Sequence, residues 1–214
     1  MSQVSLDFRN ELEPKKGTKI PFGIHSKCDL VSVELKAGEY VDINFADSEG
    51  RFHNKRLWYP NGKYPQDVKQ ADGSITQETA EEAKNREAKS RLTHVGKVMD
   101  IVLGAEVTDK VIDKFIKSVE DYGTQYEAVV TEAIKLMNAK LPAKVNLKLI
   151  YDAEGAFSVF GNFPDYVEKY VDGQAPTLTY SKWEKENRCT YKGTASGTKT
   201  NVGNTDDDID KLLA

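Results

Sequence analysis

Residues 30–59 read LVSVELKAGEYVDINFADSEGRFHNKRLWY, and this stretch decides the fold. From Leu30 to Lys36, and again from Tyr40 to Phe45, apolar residues alternate with polar ones, which is the pattern of a strand with one buried face. The intervening sequences AG and DSEG are typical of turns. A third run, from Arg51 to Tyr59, stops at a proline. We therefore predict three consecutive antiparallel strands.

The middle third of the chain carries the sequence signals of helices. Sequences of capping-box form begin at Ser74 and at Thr124, and each would open a helix. Apolar residues recur at helical spacing from Leu92 onward, and Glu87 and Arg91 stand at the i,i+4 distance of a stabilising ion pair. Helices are therefore expected to follow the third strand.

Strands return after the helices, and the order of elements predicts a fold. Residues 145–151 alternate again, and residues 156–160 form the second arm of a hairpin. An OB-fold is a five-stranded barrel with its helix between the third and fourth strands. The sequence therefore predicts an α+β, mostly β, chain with an OB-type barrel and an N-terminal arm in residues 1–193. The helical insertion is enlarged, at about 75–141 by sequence position, and residues 194–214 are expected to be a flexible linker and a disordered acidic tail.

Charge at first argues against a nucleic-acid partner. The formal net charge is -4 at pH 7, whereas neutralisation of phosphates by Lys and Arg dominates binding to nucleic acids. The last ten residues hold four aspartates and one lysine, so they account for most of this excess. The remaining chain is close to neutral, and its basic residues occur in local clusters.

Composition also bounds where the protein works. Two cysteines make no disulfide framework, which fits a reducing compartment. No stretch approaches the ~20 apolar residues that span a bilayer, and the N-terminal sequence lacks an apolar export signal. We expect a cytoplasmic protein without a membrane partner.

The third strand is the strongest candidate for a binding surface. Residues 51–59 contain four basic and three aromatic residues, and both faces of the strand mix the two kinds. Single-stranded DNA is bound by such surfaces, because bases stack on aromatic rings while Lys and Arg follow the phosphates. The alternative is that Trp58 or Leu57 packs in the barrel core and the charges are solvated. The DNA contacts expected from this strand are Arg51, Phe52, Lys55, Arg56, Trp58 and Tyr59.

Weaker clusters supply further candidates. Tyr64 lies in a loop bounded by prolines. Its ring could be exposed and stack on a base, or the loop could hold it against the barrel. Phe157, in the second hairpin, could equally belong to the core. The segment from Trp183 to Tyr191 mixes aromatic and basic residues and is expected to be a strand. The additional DNA contacts predicted from these clusters are Tyr64, Lys148, Phe157, Phe160, Trp183 and Lys192.

The acidic end of the sequence keeps apolar residues that a purely solubilising tail would not need. An acidic stretch with apolar residues suits a basic, hydrophobic pocket on a partner protein, or it could compete with DNA for the protein's own groove. The residues expected to act in this way are Asp206, Asp207, Asp208, Ile209, Asp210, Leu212 and Leu213.

Taken together, the order of strands and helices, the basic and aromatic third strand and the acidic tail resemble a bacteriophage single-stranded DNA-binding protein. The sequence departs from bacterial members of this class in its large helical block and in lacking a terminal aromatic residue. The resemblance implies coating of exposed strands during replication, recombination and repair in a host cytoplasm. It also implies replication or recombination proteins as partners of the tail, and a homo-oligomer.

Sequence signals of catalysis are missing. No phosphate loop, dinucleotide-binding glycine motif or H-E-x-x-H motif occurs. A zinc site could draw on His25, Cys28, His53 and Cys189, but it would need four convergent ligands and the sequence offers only one close pair. We therefore predict neither an enzyme nor a cofactor or metal. The competing hypotheses are an assembly factor that uses the helical block to bind proteins, and a nuclease or recombination accessory enzyme.

Overall fold

A computed structural model describes residues 19–192, which form a strongly curled antiparallel sheet, shaped as a half-barrel, and four helices. The α+β prediction is therefore confirmed, but the expectation of a mostly β chain is wrong, because the helices hold more of the described residues than the strands. The predicted linker and tail, and the first 18 residues of the predicted arm, lie outside the described residues. In chain order the elements are β1 (Gly23–Lys36), β2 (Tyr40–Ala46), β3 (Phe52–Trp58), β4 (Asp67–Lys69), β5 (Ile75–Gln77), α1 (Ala80–Leu103), α2 (Ala105–Phe115), α3 (Asp121–Asn138), β6 (Ala143–Tyr151), β7 (Ser158–Val159), a 3-10 turn (Pro164–Tyr166), β8 (Val167–Lys169) and α4 (Lys182–Arg188).

The long strand β1 organises the sheet, whose order is β3-β2-β1-β6-β7 with β8 also paired to β6. Its second half pairs with β2 and its first half with β6, both antiparallel. The register shifts between Leu30 and Ser32 and between His25 and Cys28. Such bulges bend a strand and increase its twist, which lets one strand serve both halves of a curled sheet.

The core lies between the sheet and helices α1 and α3. Val33 and Phe45 from the sheet belong to one buried cluster with Val98 from α1 and Val129 from α3. Asn138, at the end of α3, accepts a hydrogen bond from the Val33 N–H (3.3 Å) and donates one to its carbonyl (3.1 Å). The apolar faces that the sequence shows on these helices are therefore used to cover the sheet.

Two helix starts differ from the sequence prediction. Residues 75–77 pair with residues 67–69 as the β4–β5 hairpin, so the capping-box sequence at Ser74 lies in extended chain. α1 instead begins after Thr79, whose hydroxyl accepts from the Glu82 N–H (3.2 Å) while the Glu82 carboxylate accepts from the Thr79 N–H (2.7 Å). Thr124 lies inside α3.

The prediction of a strand near Trp183 is wrong, because this segment forms helix α4. Ser181 caps this helix, since its hydroxyl accepts from the Glu184 N–H (3.2 Å) and the Glu184 carboxylate accepts from the Ser181 N–H (2.7 Å). This capping box is visible in the sequence SKWE.

Candidate nucleic-acid interface

Strand β3 sorts its side chains into a buried and an exposed face. Leu57 is 5% exposed and packs in the core, whereas Trp58 is 61% exposed. Lys55 lies on the inward face at intermediate burial, and Arg56 is exposed on the outward face. β3 is an edge strand of the sheet, and among the described residues its free edge is met only by an isolated bridge from Lys19 to Phe52 and by the Arg91 side chain.

Three side chains from β2 and β3 build a fixed platform on the outer face. The Arg56 guanidinium lies 3.7 Å from the centre of the Tyr40 ring and donates two hydrogen bonds to Asp42 (2.8 and 2.6 Å). The Tyr40 and Trp58 rings meet edge to face, with their centres 5.9 Å apart. Contacts of this kind restrain rotamers, so the exposed Trp58 ring is held in place before any ligand arrives.

A loop after β3 presents a second exposed ring, that of Tyr64, which is 74% exposed. Helix α1 holds this loop. Arg86 donates to the Tyr64 carbonyl (2.7 Å), and the buried Glu87 carboxylate accepts from the N–H groups of Asn61 (3.0 Å) and Gly62 (3.4 Å). The ring therefore stands on a loop fixed by its main chain.

Two adjoining cavities run along the free edge of β3. Trp58 and Arg91 line both of them, so they form one continuous feature, which we name the edge groove. The first cavity, of about 330 Å³, is lined by Gly38, Glu39, Trp58, Tyr59, Asn61, Tyr64, Glu87 and Arg91. The second, of about 240 Å³, is lined by Lys55, Arg56, Leu57, Trp58, Ser90, Arg91, His94 and Asn162.

The second cavity is electropositive. Burial, together with the nearby Arg91 guanidinium, lowers the pKa of Lys55 to about 8. Burial and the Lys55 ammonium lower the pKa of His94 to about 4, so His94 is neutral at physiological pH. The His94 Nε2–H donates to the Asn162 carbonyl (2.9 Å), and its Nδ1 is buried without a hydrogen-bond partner.

The edge groove brings together five of the residues predicted from sequence to bind DNA: Lys55, Arg56, Trp58, Tyr59 and Tyr64. Arg51 and Phe52 line neither cavity. Arg51 pairs with Asp47 (2.6 Å) and Glu49 (3.1 Å), and Phe52 forms a β-bridge with Lys19.

The later candidates lie elsewhere. Lys148 and Phe160 are buried: Lys148 is 0% exposed, and Phe160 is 6% exposed and packs against Phe45. Burial removes both from any ligand on the surface, so we leave them out of the interface. Phe157, Trp183 and Lys192 are exposed but line neither cavity.

Several groove residues escaped the sequence prediction. Ser90, Arg91 and His94 come from α1, Asn162 from the chain after β7, and Tyr40 supports Trp58 from β2. Of these residues, only Arg91 had been singled out in the sequence, as the i,i+4 ion-pair partner of Glu87, and the two side chains do not pair in the structure. Glu87 binds the loop main chain instead, and Arg91 Nε donates to the Trp58 carbonyl (3.3 Å).

The candidate zinc ligands do not converge. No group of three or more His, Cys, Asp and Glu side chains within residues 19–192 could hold a metal ion. His25 Nε2 bonds to the Pro21 carbonyl (3.0 Å), and burial raises the pKa of the Cys28 thiol to about 12, which disfavours the thiolate that a metal requires.

Over the same described range, none of the helices combines the length and apolarity needed to cross a membrane. No protein-family model, no curated protein and no solved structure matches this chain. The chemistry of the edge groove is therefore the basis for assigning a function.

Proposed function

We propose that the protein binds single-stranded DNA in the edge groove, with little preference for sequence, and protects it during replication and recombination. The observation that carries the proposal is the joining of exposed aromatic rings to basic side chains along one edge. Trp58 and Tyr64 offer faces on which bases can stack, and Lys55 and Arg91 have no acidic partner within 4 Å among residues 19–192. Surfaces that bind single strands combine these two features.

The two cavities suit different parts of a nucleotide. The first contains three aromatic residues together with Glu39 and Glu87, so negative phosphates are disfavoured there and bases are favoured. The second contains no carboxylate among its lining residues. A strand lying along β3 would therefore place bases towards Tyr64 and phosphates towards Lys55.

Strand order supports the further proposal that the half-barrel is of OB type. The order β3-β2-β1-β6-β7, with the helices between β3 and β6, corresponds to a five-stranded barrel whose helix precedes the fourth strand. The outer strands approach through side chains: His53 Nε2 donates to the Ser158 carbonyl (2.9 Å), and Lys55 Nζ donates to the Gly161 carbonyl (2.7 Å). OB-folds bind oligonucleotides on their second and third strands and on the loop between the first two, and here β3 and the β1–β2 turn line the edge groove.

The alternative of a protein-binding helical block gains less support. The negative net charge and the amphipathic faces of α1, α2 and α3 suggested it. The contacts of α1 and α3 with the sheet account for their apolar residues without a partner. The helical block also has an open cavity of about 370 Å³ between α1 and α2, but its lining contains a single aromatic residue, Tyr122, and two carboxylates, Asp100 and Asp109.

Replacing Trp58 with alanine tests the proposed function. We expect the affinity for fluorescently labelled oligo(dT), measured by anisotropy at low salt, to fall by about 5- to 150-fold, because base stacking on one aromatic ring contributes about 1–3 kcal/mol. Trp183→Ala is the matched control, since Trp183 is similarly exposed at 54% and lies outside the groove. Wild-type affinity should also fall steeply with added salt.

Two outcomes would count against DNA binding at this site. If the two tryptophan substitutions lower the affinity equally, the DNA interface does not lie specifically in the edge groove. The proposed function itself would be overturned if, at low salt, the wild-type protein does not bind the oligonucleotide and the Trp fluorescence of the protein does not change when the oligonucleotide is added.

For the acidic end of the sequence we propose a regulatory role, in which it binds replication or recombination proteins or competes with DNA. Deleting residues 205–214 removes four aspartates and one lysine, so we expect tighter binding to oligo(dT) at low salt. Equilibrium titration of the full chain and the deletion variant measures the difference. Unchanged affinity would eliminate competition with DNA.

A further inference from the structure

The second cavity of the edge groove concentrates positive charge with no carboxylate in its lining. It lies between β3, which supplies Lys55, and α1, which supplies Arg91. A third cation, Arg56, is already bound to Asp42 by two hydrogen bonds. Lys55 and Arg91, in contrast, have no carboxylate within ion-pair distance among the described residues, and no acidic residue lines the cavity.

This arrangement is electrostatically unfavourable in the empty protein. Lys55 is partly buried, and its ammonium donates to the Gly161 carbonyl and lies 5.6 Å from the centre of the Tyr166 ring. It also lies close enough to Arg91 for mutual repulsion. Burial and the same two cations lower the pKa of His94, from the next turn of α1, whereas its hydrogen bond to the Asn162 carbonyl and the charge of Asp165 act in the opposite direction. Burying like charges together without a counterion is disfavoured, and an anion in the cavity would remove the repulsion.

We propose that the second cavity binds one phosphate group, held by Lys55 and Arg91, with Ser90 and Asn162 as neutral hydrogen-bonding groups on its walls. The proposal rests on the proposed DNA binding and deepens it, because the phosphate would belong to the bound strand. The volume of about 240 Å³ is many times the ~10–15 Å³ that a cavity needs to hold one water molecule, so the cavity has room for a group much larger than water. Helix α1, part of the helical insertion, then contributes half of a nucleotide site.

Phosphate binding at this position couples to a proton. A phosphate beside Lys55 favours the ammonium and raises the pKa of Lys55 above the value of about 8 that it has in the empty cavity. Below pH 8 Lys55 is charged with or without ligand, and affinity does not depend on its titration. Above pH 8 the empty protein loses the proton and must regain it on binding, so affinity falls by up to about tenfold per pH unit.

The test compares wild-type protein with Lys55→Arg between about pH 7 and 9 at constant ionic strength. The ligand is oligo(dC), whose bases do not titrate in this range. We expect wild-type affinity to fall above pH 8 and the Lys55→Arg affinity to stay nearly constant, because arginine remains charged throughout. Lys63→Arg is the matched control, since Lys63 is exposed and lines neither cavity, and it should keep the wild-type profile.

A second variant keeps the test decisive if Lys55→Arg fails to fold. Burial lowers the pKa of Lys55 most and the Arg91 charge lowers it further. Arg91→Gln removes this second contribution, so we expect weaker binding together with a fall that begins at higher pH. If Lys55→Arg and Arg91→Gln both keep the wild-type pH profile, the phosphate site is wrong. The proposed function would survive that result as long as Trp58→Ala still weakens binding.

Two further experiments identify which phosphate binds and test the phosphate site separately from DNA binding. Oligo(dC) with and without a 5′-phosphate distinguishes a terminal phosphate, which would bind more tightly, from an internal one, which would not. Inorganic phosphate, followed through the amide NMR signals of Gly161 and Asn162, tests the cavity alone. Shifts of these signals that Lys55→Ala abolishes, in a protein that binds no oligonucleotide, would retain the phosphate site and overturn the DNA-binding proposal.

Discussion

Replacing Lys148 with methionine is expected to lower the free energy of unfolding by about 3–5 kcal/mol, the range measured when one partner of a buried ion pair is removed. Lys148 lies on β6 and is 0% exposed. Its Nζ donates to Asp165 (2.7 Å), Glu184 (3.1 Å) and the Thr179 carbonyl (3.0 Å). Methionine keeps most of the apolar part of the side chain but leaves the Glu184 carboxylate, only 9% exposed, without its cation. Asp165 is 55% exposed and contributes little, because solvent screens it.

Lys144→Met is the matched control on the same strand. Its Nζ is 2.6 Å from Asp29, but both side chains are partly exposed (49% and 31%), so the loss should stay below about 1 kcal/mol. Urea denaturation of both variants measures the two values. Hydrogen exchange adds a local readout, since loss of the Glu184 contact should release α4 from the sheet. Equal losses in the two variants would show that the buried network does not anchor the protein.

Replacing Gly62 with alanine is expected to have the second large effect, on stability and on binding together. Gly62 has a φ of +68°, and an added Cβ would lie 2.1 Å from the carbonyl oxygen of Ala80, the first residue of α1. The left-handed conformation costs about 1–2 kcal/mol in a non-glycine residue. Moving the loop away from Ala80 also breaks hydrogen bonds to the buried Glu87 carboxylate, at about 1.5–3 kcal/mol for a bond to a charged group. We therefore expect a loss of about 3 kcal/mol or more.

The binding consequence follows because this loop carries Tyr64. Displacing the loop opens the first cavity, so affinity for oligo(dT) should fall along with the melting temperature. Gly73→Ala separates the two contributions to stability: Gly73 has a φ of +85° with no atom within 4 Å of its Cβ position, so only the conformational cost applies. If Gly62→Ala is no more destabilising than Gly73→Ala, the close approach to Ala80 is not rigid.

The strands were predictable wherever local alternation reports burial. β2 and β3 match the sequence prediction to within one residue at each end. β1 begins seven residues earlier than the alternation from Leu30 indicates, because its first half pairs with β6 across a bulge between His25 and Cys28. A bulge breaks the two-residue period, and the partner strand lies beyond the helices, so no local pattern reveals this part of β1.

Only the part of the binding site that lies on β3 was well predicted from the sequence. Trp58 and Lys55 were identified from their residue types, but which face of the strand is buried depends on the curl of the sheet. Arg91 was assigned to an ion pair with Glu87 because the spacing favours one. The structure uses Glu87 to bind two loop N–H groups, and this competition between main chain and guanidinium cannot be read from helical spacing.

Lys148 shows the opposite error, since a lysine in an alternating strand was expected to face a phosphate. Its position is buried because α4 and the 3-10 turn cover that side of β6, and both are distant in sequence. A lysine can be buried when two carboxylates meet its ammonium, and the sequence alone does not show that Asp165 and Glu184 are close.

The pairing of β1 with β6 has a consequence for the order in which the chain folds. Leu30 pairs with Ala143 across the whole helical insertion, whereas β1, β2 and β3 pair across turns of a few residues. The entropy of closing a loop grows with its length, so the three-stranded meander can form early and the β1–β6 ladder only after residues 80–138 have become compact. The helices thus act during folding as the element that shortens the chain between the two halves of the sheet. A substitution that weakens α1 or α3 would slow closure of the half-barrel even where it touches no strand.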